Sequence, residues 1–140
     1  MKLDLSSLRK AVESLERALK VVNNRDLMAG YDDDTKDIIR AGVIQNFEFT
    51  YEMCWKFMKR RLELVLGSSY VDGITRHELF RFAAENQLIN DVEQWMEYHD
   101  ARNDTSHTYD EERAVEILEV VGPFARDARK FLEILEKKNA

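Results

Sequence analysis

Residues 101–110 read Ala-Arg-Asn-Asp-Thr-Ser-His-Thr-Tyr-Asp, and these are the side chains of the sequence best suited to carry a reaction. Arg102 presents a planar fork of donors that matches a phosphate. His107 lies five residues on and can exchange a proton near neutral pH; Tyr109 follows two later. Such groups suit metal-free cleavage of an RNA phosphodiester. One removes the proton of the ribose 2′-OH, another protonates the leaving 5′-oxygen, and Arg102 offsets the charge gathering on phosphorus. One chain supplies one histidine at this junction, so a symmetric dimer facing two copies would supply both acid and base. The competing reading is a polar segment that caps two helices and does no chemistry.

Other candidates are weaker. Cys54 lies beside Trp55 near an apolar stripe and reads as a buried structural thiol. His77 follows a helix cap and reads as solvated, while His99 shares a helix face with Trp95 and Arg102 and reads as packed or hydrogen-bonded. The run Asp32-Asp33-Asp34 lacks the alternating oxygen positions and central glycine of a calcium loop. There is no H-E-x-x-H, no second cysteine, no glycine-rich phosphate loop and no G-x-S-x-G. No metal and no cofactor is expected.

The elements that must position the junction are helical. Leu5, Leu8, Val12, Leu15, Leu19 and Val22 alternate steps of three and four, a seam for a helical partner. Residues 24–36 read as a connection. A long second helix is expected from Thr35 to Leu66, with Ile44, Phe47, Tyr51, Trp55, Met58, Leu62 and Val65 on one stripe, ended by Gly67. Thr75 and Glu78 form a capping box for a short third helix, and the turn Gln87-Leu88-Ile89-Asn90 buries two aliphatics. Asn90 or Asp91 caps a fourth helix that runs to about Arg102. Thr108 with Glu111 suggests a second capping box opening the last helix, where Gly122-Pro123 should impose a kink. The expectation is an all-α, up-and-down bundle of about five helices forming one domain over residues 1–140, with surplus apolar surface that dimerisation would cover.

Composition agrees. One Pro and five Gly among 140 residues are too few for a loop-rich or all-β fold. No apolar run approaches the roughly 18 residues of a membrane span, and the opening Met-Lys-Leu-Asp-Leu is no signal peptide, so a cytoplasmic location is expected. The net charge of −6 argues against broad coating of a nucleic acid, but it is unevenly spread. Arg40, Lys56, Lys59, Arg60 and Arg61 face only Glu48, Glu52 and Glu63 over residues 38–67. Lys56, Lys59 and Arg60 could form an RNA-contacting stripe, or merely a solvated helix face.

The segment from Arg102 to His107 resembles the R-x4-6-H signature of HEPN domains. Extended to Tyr109, it resembles the R-x4-H-x-Y motif of HEPN proteins that partner minimal nucleotidyltransferases (MNT). Phe47-Glu48-Phe49-Thr50-Tyr51-Glu52 with Trp55-Lys56 resembles the F-E-x-T-x-E-x-x-W-K stretch of the nucleotidyltransferase substrate-binding subfamily, and His107-Thr108-Tyr109-Asp110-Glu111 resembles its H-T-Y-[DN]-E segment. Asn46 stands where relatives often carry a basic residue, and Thr75-Arg76-His77 replaces a Ser-Pro-Arg type segment. The resemblance implies a dimeric HEPN bundle with the two junctions facing across a cleft. It implies an RNA-cleaving toxin of a toxin–antitoxin module, with Arg102 and His107 catalytic and Asn103 supporting them. The MNT partner would silence it by transferring AMP to Tyr109. An older meaning of the subfamily name implies instead a non-catalytic adaptor that presents substrate to a nucleotidyltransferase.

Overall fold

The computed structural model describes residues 2–139, and among them every regular element is helical. The six helices are α1 (Ser6–Val22), α2 (Arg25–Ala29), α3 (Asp33–Leu66), α4 (Arg76–Glu85), α5 (Val92–Asp104) and α6 (Glu111–Lys138). Short 3-10 turns follow α3 at Ser68–Tyr70 and α5 at Thr105–His107. The helical bundle expected from periodicity is therefore present. No described helix is long and apolar enough to cross a membrane.

The long helix α3 is the spine. It packs along α1 and α6, and α4 and α5 close the remaining side. The α1 seam forms as expected: Leu8, Val12 and Leu15 are buried, with Leu19 and Val22 partly so. Asn46, the departure from the subfamily pattern, joins α1 to α3, because its Oδ1 accepts from Ser14 Oγ at 2.7 Å. The centre of the core is aromatic. The Phe124 ring meets Phe47 and Tyr98 edge-on, each at 5.1 Å between centroids, and Trp95 at 5.8 Å. Edge-to-face pairs add about 0.5–1.5 kcal/mol each beyond area burial, so these rings fix how α3, α5 and α6 meet. Cys54 is fully buried in the same core, as expected, and burial pushes its thiol pKa up.

Local signals end the helices. Thr75 and Glu78 complete their capping box. After α4 the chain reverses with Gln87 in the left-handed region (φ 61°), while Leu88 N–H donates to Ala83 C=O and Gln87 N–H to Ala84 C=O. That is a Schellman pattern, and it drives Leu88 and Ile89 into the core.

Several expectations are corrected. Residues 24–36 are not merely a connection: Asn24 caps the five-residue α2, and Asp32 caps α3, which starts at Asp33, two residues earlier than Thr35. Of the two cap candidates for α5, Asp91 takes the role, as its side chain accepts from Gln94 N–H. The last helix is capped by Asp110, whose Oδ1 accepts from Glu112 N at 3.0 Å, and not by Thr108; a carboxylate one residue from the first turn outcompetes a hydroxyl three residues away. Val65 is half exposed rather than part of the α3 core stripe. His77 is exposed but not simply solvated, since its Nε2 lies 3.1 Å from Glu93 Oε1. Pro123 lies inside α6 without ending the helix; the carbonyl deprived of its donor belongs to Glu119, on the solvent side.

Candidate functional site

Arg102 and Asn103 do not lie in a loop. They occupy the last turn of α5, which extends to Asp104, and His107 ends the 3-10 turn that follows. The reversal is built locally. Thr105, nearly buried, donates its hydroxyl to Arg102 C=O at 2.7 Å, and its amide donates to the same carbonyl. This satisfies an α5 carbonyl that would otherwise lack a partner. Asp110 N–H then donates to His107 C=O at 3.1 Å, and an Arg113–Asp104 ion pair (3.5 Å) ties α6 back to α5. Arg102 and His107 thus sit on consecutive helical turns of one compact reversal.

The Arg102 side is fixed by α3. Glu52 Oε1 lies 3.2 Å from Arg102 Nε, while Glu52 Oε2 accepts from the Trp55 indole at 2.9 Å. The Arg102 Nε is buried and too poorly aligned for a hydrogen bond, so charge attraction to Glu52 rather than a directed bond holds it. The guanidinium of Arg76, at the start of α4, stacks 3.6 Å from the Trp55 ring centroid, a close cation–π contact. Two guanidinium groups therefore flank one carboxylate–indole pair.

One residue along α3, Tyr51 points its hydroxyl at His99 Nδ1 (2.8 Å), and His99 Nε2 faces the Asn103 amide at 3.3 Å. Burial is the main cause that lowers the pKa of His99, followed by the Arg76 charge; Asp100 and Glu52 oppose the shift, and Arg102 adds the smallest lowering effect. His99 is thereby held neutral. Burial of Tyr51 raises its pKa, so its hydroxyl keeps its proton. Tyr98 anchors the other face of α5 by donating to Asp127 Oδ2 at 2.5 Å.

The His107 side is open by contrast. Tyr109 is 84% exposed, and its hydroxyl makes only a long 3.5 Å contact with His107 Nδ1. Tyr109 lines a groove of about 610 Å³ between the N-terminal parts of α3 and α6, whose lining combines apolar Ile44, Ala114 and Leu118 with charged Asp37, Arg40 and Glu111.

Lys56 and Arg60 are exposed on α3, and Lys59 is half-buried. Lys56 lies 5.7 Å from the Trp55 ring centroid and Arg60 lies 4.8 Å from that of Phe57. These three cations make no ion pair among the described residues, and they follow Glu52 along the helix that holds Arg102. Tyr51, Glu52 and Arg76 support the junction without belonging to its motif. The signal available for one of them was Glu52 and Trp55 at a spacing of three, which puts a carboxylate and an indole donor on one helix face.

Comparison with known proteins shows the family and the fold. Probable ribonuclease HepT of Haemophilus influenzae is 34% identical over 139 residues, covering 99% of this chain and 95% of that protein. A solved Haemophilus influenzae structure, described as revealing the fold of a substrate binding domain of a nucleotidyltransferase, superposes with a TM-score of 0.91 at 33% identity, over 95% of this chain and 99% of that one. A crystal structure from Thermus thermophilus superposes with a TM-score of 0.67 at 25% identity, over 89% of this chain and 98% of that one. The profile of the family described as "Nucleotidyltransferase substrate binding protein like" matches residues 3–137, in agreement with the F-E…W-K and H-T-Y resemblances, and the chain belongs to that family.

Proposed function

We propose that this protein is a metal-independent endoribonuclease, the toxin of a HEPN–MNT module. The observation that carries this reading is the placement of Arg102 and His107 on consecutive turns of one reversal, with Arg102 held through its Nε by Glu52. Such a hold leaves the terminal fork of the guanidinium to meet a phosphate. In the proposed reaction the 2′-oxygen attacks phosphorus, the bond to the 5′-oxygen breaks, and a 2′,3′-cyclic phosphate and a free 5′-OH result. One His107 takes the 2′-OH proton and the His107 of a second copy donates a proton to the leaving oxygen. Arg102 stabilises the charged intermediate, and Asn103 supports it. Exposed Ile38, Phe49 and Val115 offer apolar surface for such a homodimer, and Lys56, Lys59 and Arg60 offer positive charge to the flanking RNA.

The relative named probable ribonuclease HepT supports the nuclease reading, and the family description supports a nucleotidyltransferase partner. The exposure of Tyr109 supports it as the AMP acceptor, because an enzyme must reach the hydroxyl. A transferred AMP would place a phosphate and a base two residues from His107 and block the cleft by charge and volume.

The deciding experiment incubates purified, AMP-free protein with RNA in chelator. Wild type should cleave and His107→Ala should not; equal cleavage by both removes the catalytic assignment. Co-expression with the partner nucleotidyltransferase should add mass in AMP units, and Tyr109→Phe should prevent it. The second reading, a non-catalytic substrate-binding subunit, is favoured by the description of the solved Haemophilus influenzae relative. It predicts no cleavage by wild type but retained binding to the nucleotidyltransferase.

A further inference from the structure

The Tyr51–His99–Asn103 chain contains a directional choice. A carboxamide can present either its oxygen or its nitrogen by a half-turn, and a neutral imidazole carries one proton on either nitrogen, so the partners set the sense. In one setting, His99 Nδ1–H donates to the Tyr51 oxygen and the Asn103 amide donates to Nε2. The Tyr51 hydroxyl proton then has no acceptor, although Tyr51 is 1% exposed and makes no other hydrogen bond among the described residues. In the other setting, Tyr51 O–H donates to Nδ1, and His99 Nε2–H donates to Asn103 Oδ1. Every buried donor is then satisfied. A half-turn of the amide from its Nδ2-inward sense, in which the 3.3 Å N···N separation is long, gives this arrangement.

We propose that His99 is a positioning residue that relays a fixed hydrogen-bond direction from Tyr51 to Asn103, turning the two N–H donors of the Asn103 amide outward, beside Arg102, to meet an RNA phosphate. This rests on reading the junction as a phosphodiester-cleaving site. The relay explains why a hydroxyl sealed in the core faces the imidazole of α5. It also gives Asn103, an exposed residue on a helix end, one orientation instead of two. An outward oxygen would repel a phosphate; outward N–H groups attract it. Asn103 and Arg102 are then set by neighbouring residues of α3, one through Tyr51 and one through Glu52.

The test has a spectroscopic arm and a kinetic arm. Long-range proton–nitrogen correlation of protein labelled with nitrogen-15 in the histidine rings should show His99 as the Nε2–H tautomer. The Nδ1–H tautomer, or an averaged mixture, overturns the relay whether or not the protein cleaves RNA. In the kinetic arm, His99→Phe should fold, checked by circular dichroism, and lose about tenfold in kcat, the scale of one hydrogen bond to a charged group. His99→Gln can accept with Oε1 and donate with Nε2, so it should recover most of that loss. In an Asn103→Ala background, His99→Phe should cost nothing more, because its effect passes through the amide. A full loss in that background, or equal rates for His99→Phe and His99→Gln, overturns the proposal. An inactive wild type defeats the nuclease reading, and the ring tautomer alone then decides whether the relay exists.

Discussion

The two halves of the junction are held in different ways. Arg102 and Asn103 stand on a finished helix, and α3 reaches both, Arg102 directly through Glu52 and Asn103 by way of Tyr51 and His99. His107 and Tyr109 stand beyond the helix end, tied mainly by backbone bonds, with Tyr109 almost fully in solvent. The contrast separates two demands. A group that grips a phosphate gains from being fixed before the ligand arrives, since little ordering is left to lose. A group that meets a second copy of the chain, or a modifying enzyme, must stay accessible.

That comparison can be broken or sharpened by substitution, beginning with the largest effect. Arg102→Ala should lower RNA cleavage by about 10²–10³-fold, the usual consequence of removing one stabiliser of transition-state charge. A variant within a few-fold of wild type would mean that the fixed half is scaffolding. Glu52→Gln should have a smaller effect, about tenfold, because it keeps the shape and removes the charge that holds Arg102 Nε. An unchanged rate would show that Arg102 needs no hold.

Stability should divide the halves in the same sense. Tyr51→Phe strips the donor from His99 Nδ1 in a buried setting and should cost about 1–2 kcal/mol in urea unfolding. Tyr109→Phe removes a hydroxyl already in water and should stay within about 0.5 kcal/mol of wild type. Similar costs for the two would contradict the division. The smallest effect concerns pH. His99, facing Tyr51 and Glu52 from α3, Arg76 from α4, and Asp100 and Arg102 on its own helix, has a lowered pKa in the native state. The unfolded chain therefore takes up a proton at this residue first as the pH falls below about 6.5. The contribution of His99 is present above that value and fades as the pH drops towards the lowered native pKa. The Tm of wild type should consequently fall more than that of His99→Gln between pH 7 and 5, and parallel curves would deny a buried neutral imidazole.

Much of the scaffold was legible in the sequence because it depends on short-range signals. The α1 seam repeats over its whole length, and Thr75 with Glu78 announces a helix start by chemistry that acts over three residues. Leu88 and Ile89 stand out as aliphatics in a polar turn, and they are buried. The five-residue α2 was not legible, since it is too short to show a period and buries only Met28. At α6, the Thr108–Glu111 spacing suggested a cap, but the helix starts at Glu111, so the neighbouring carboxylate of Asp110 takes that place. The site was legible as a motif but not as a mechanism of support. Arg102 and Glu52 are fifty residues apart, and their meeting depends on how α5 crosses α3, which no local pattern encodes.

The buried thiol of α3 has a practical consequence. Cys54 is the only cysteine of the chain; it is sealed among the core helices, and its raised pKa disfavours the reactive thiolate. The folded protein should therefore be inert to a thiol-alkylating reagent, and each labelling event should record an opening of the bundle. Labelling rates followed with and without RNA or a partner would read the free energy of that opening directly, with no added dye and no engineered residue.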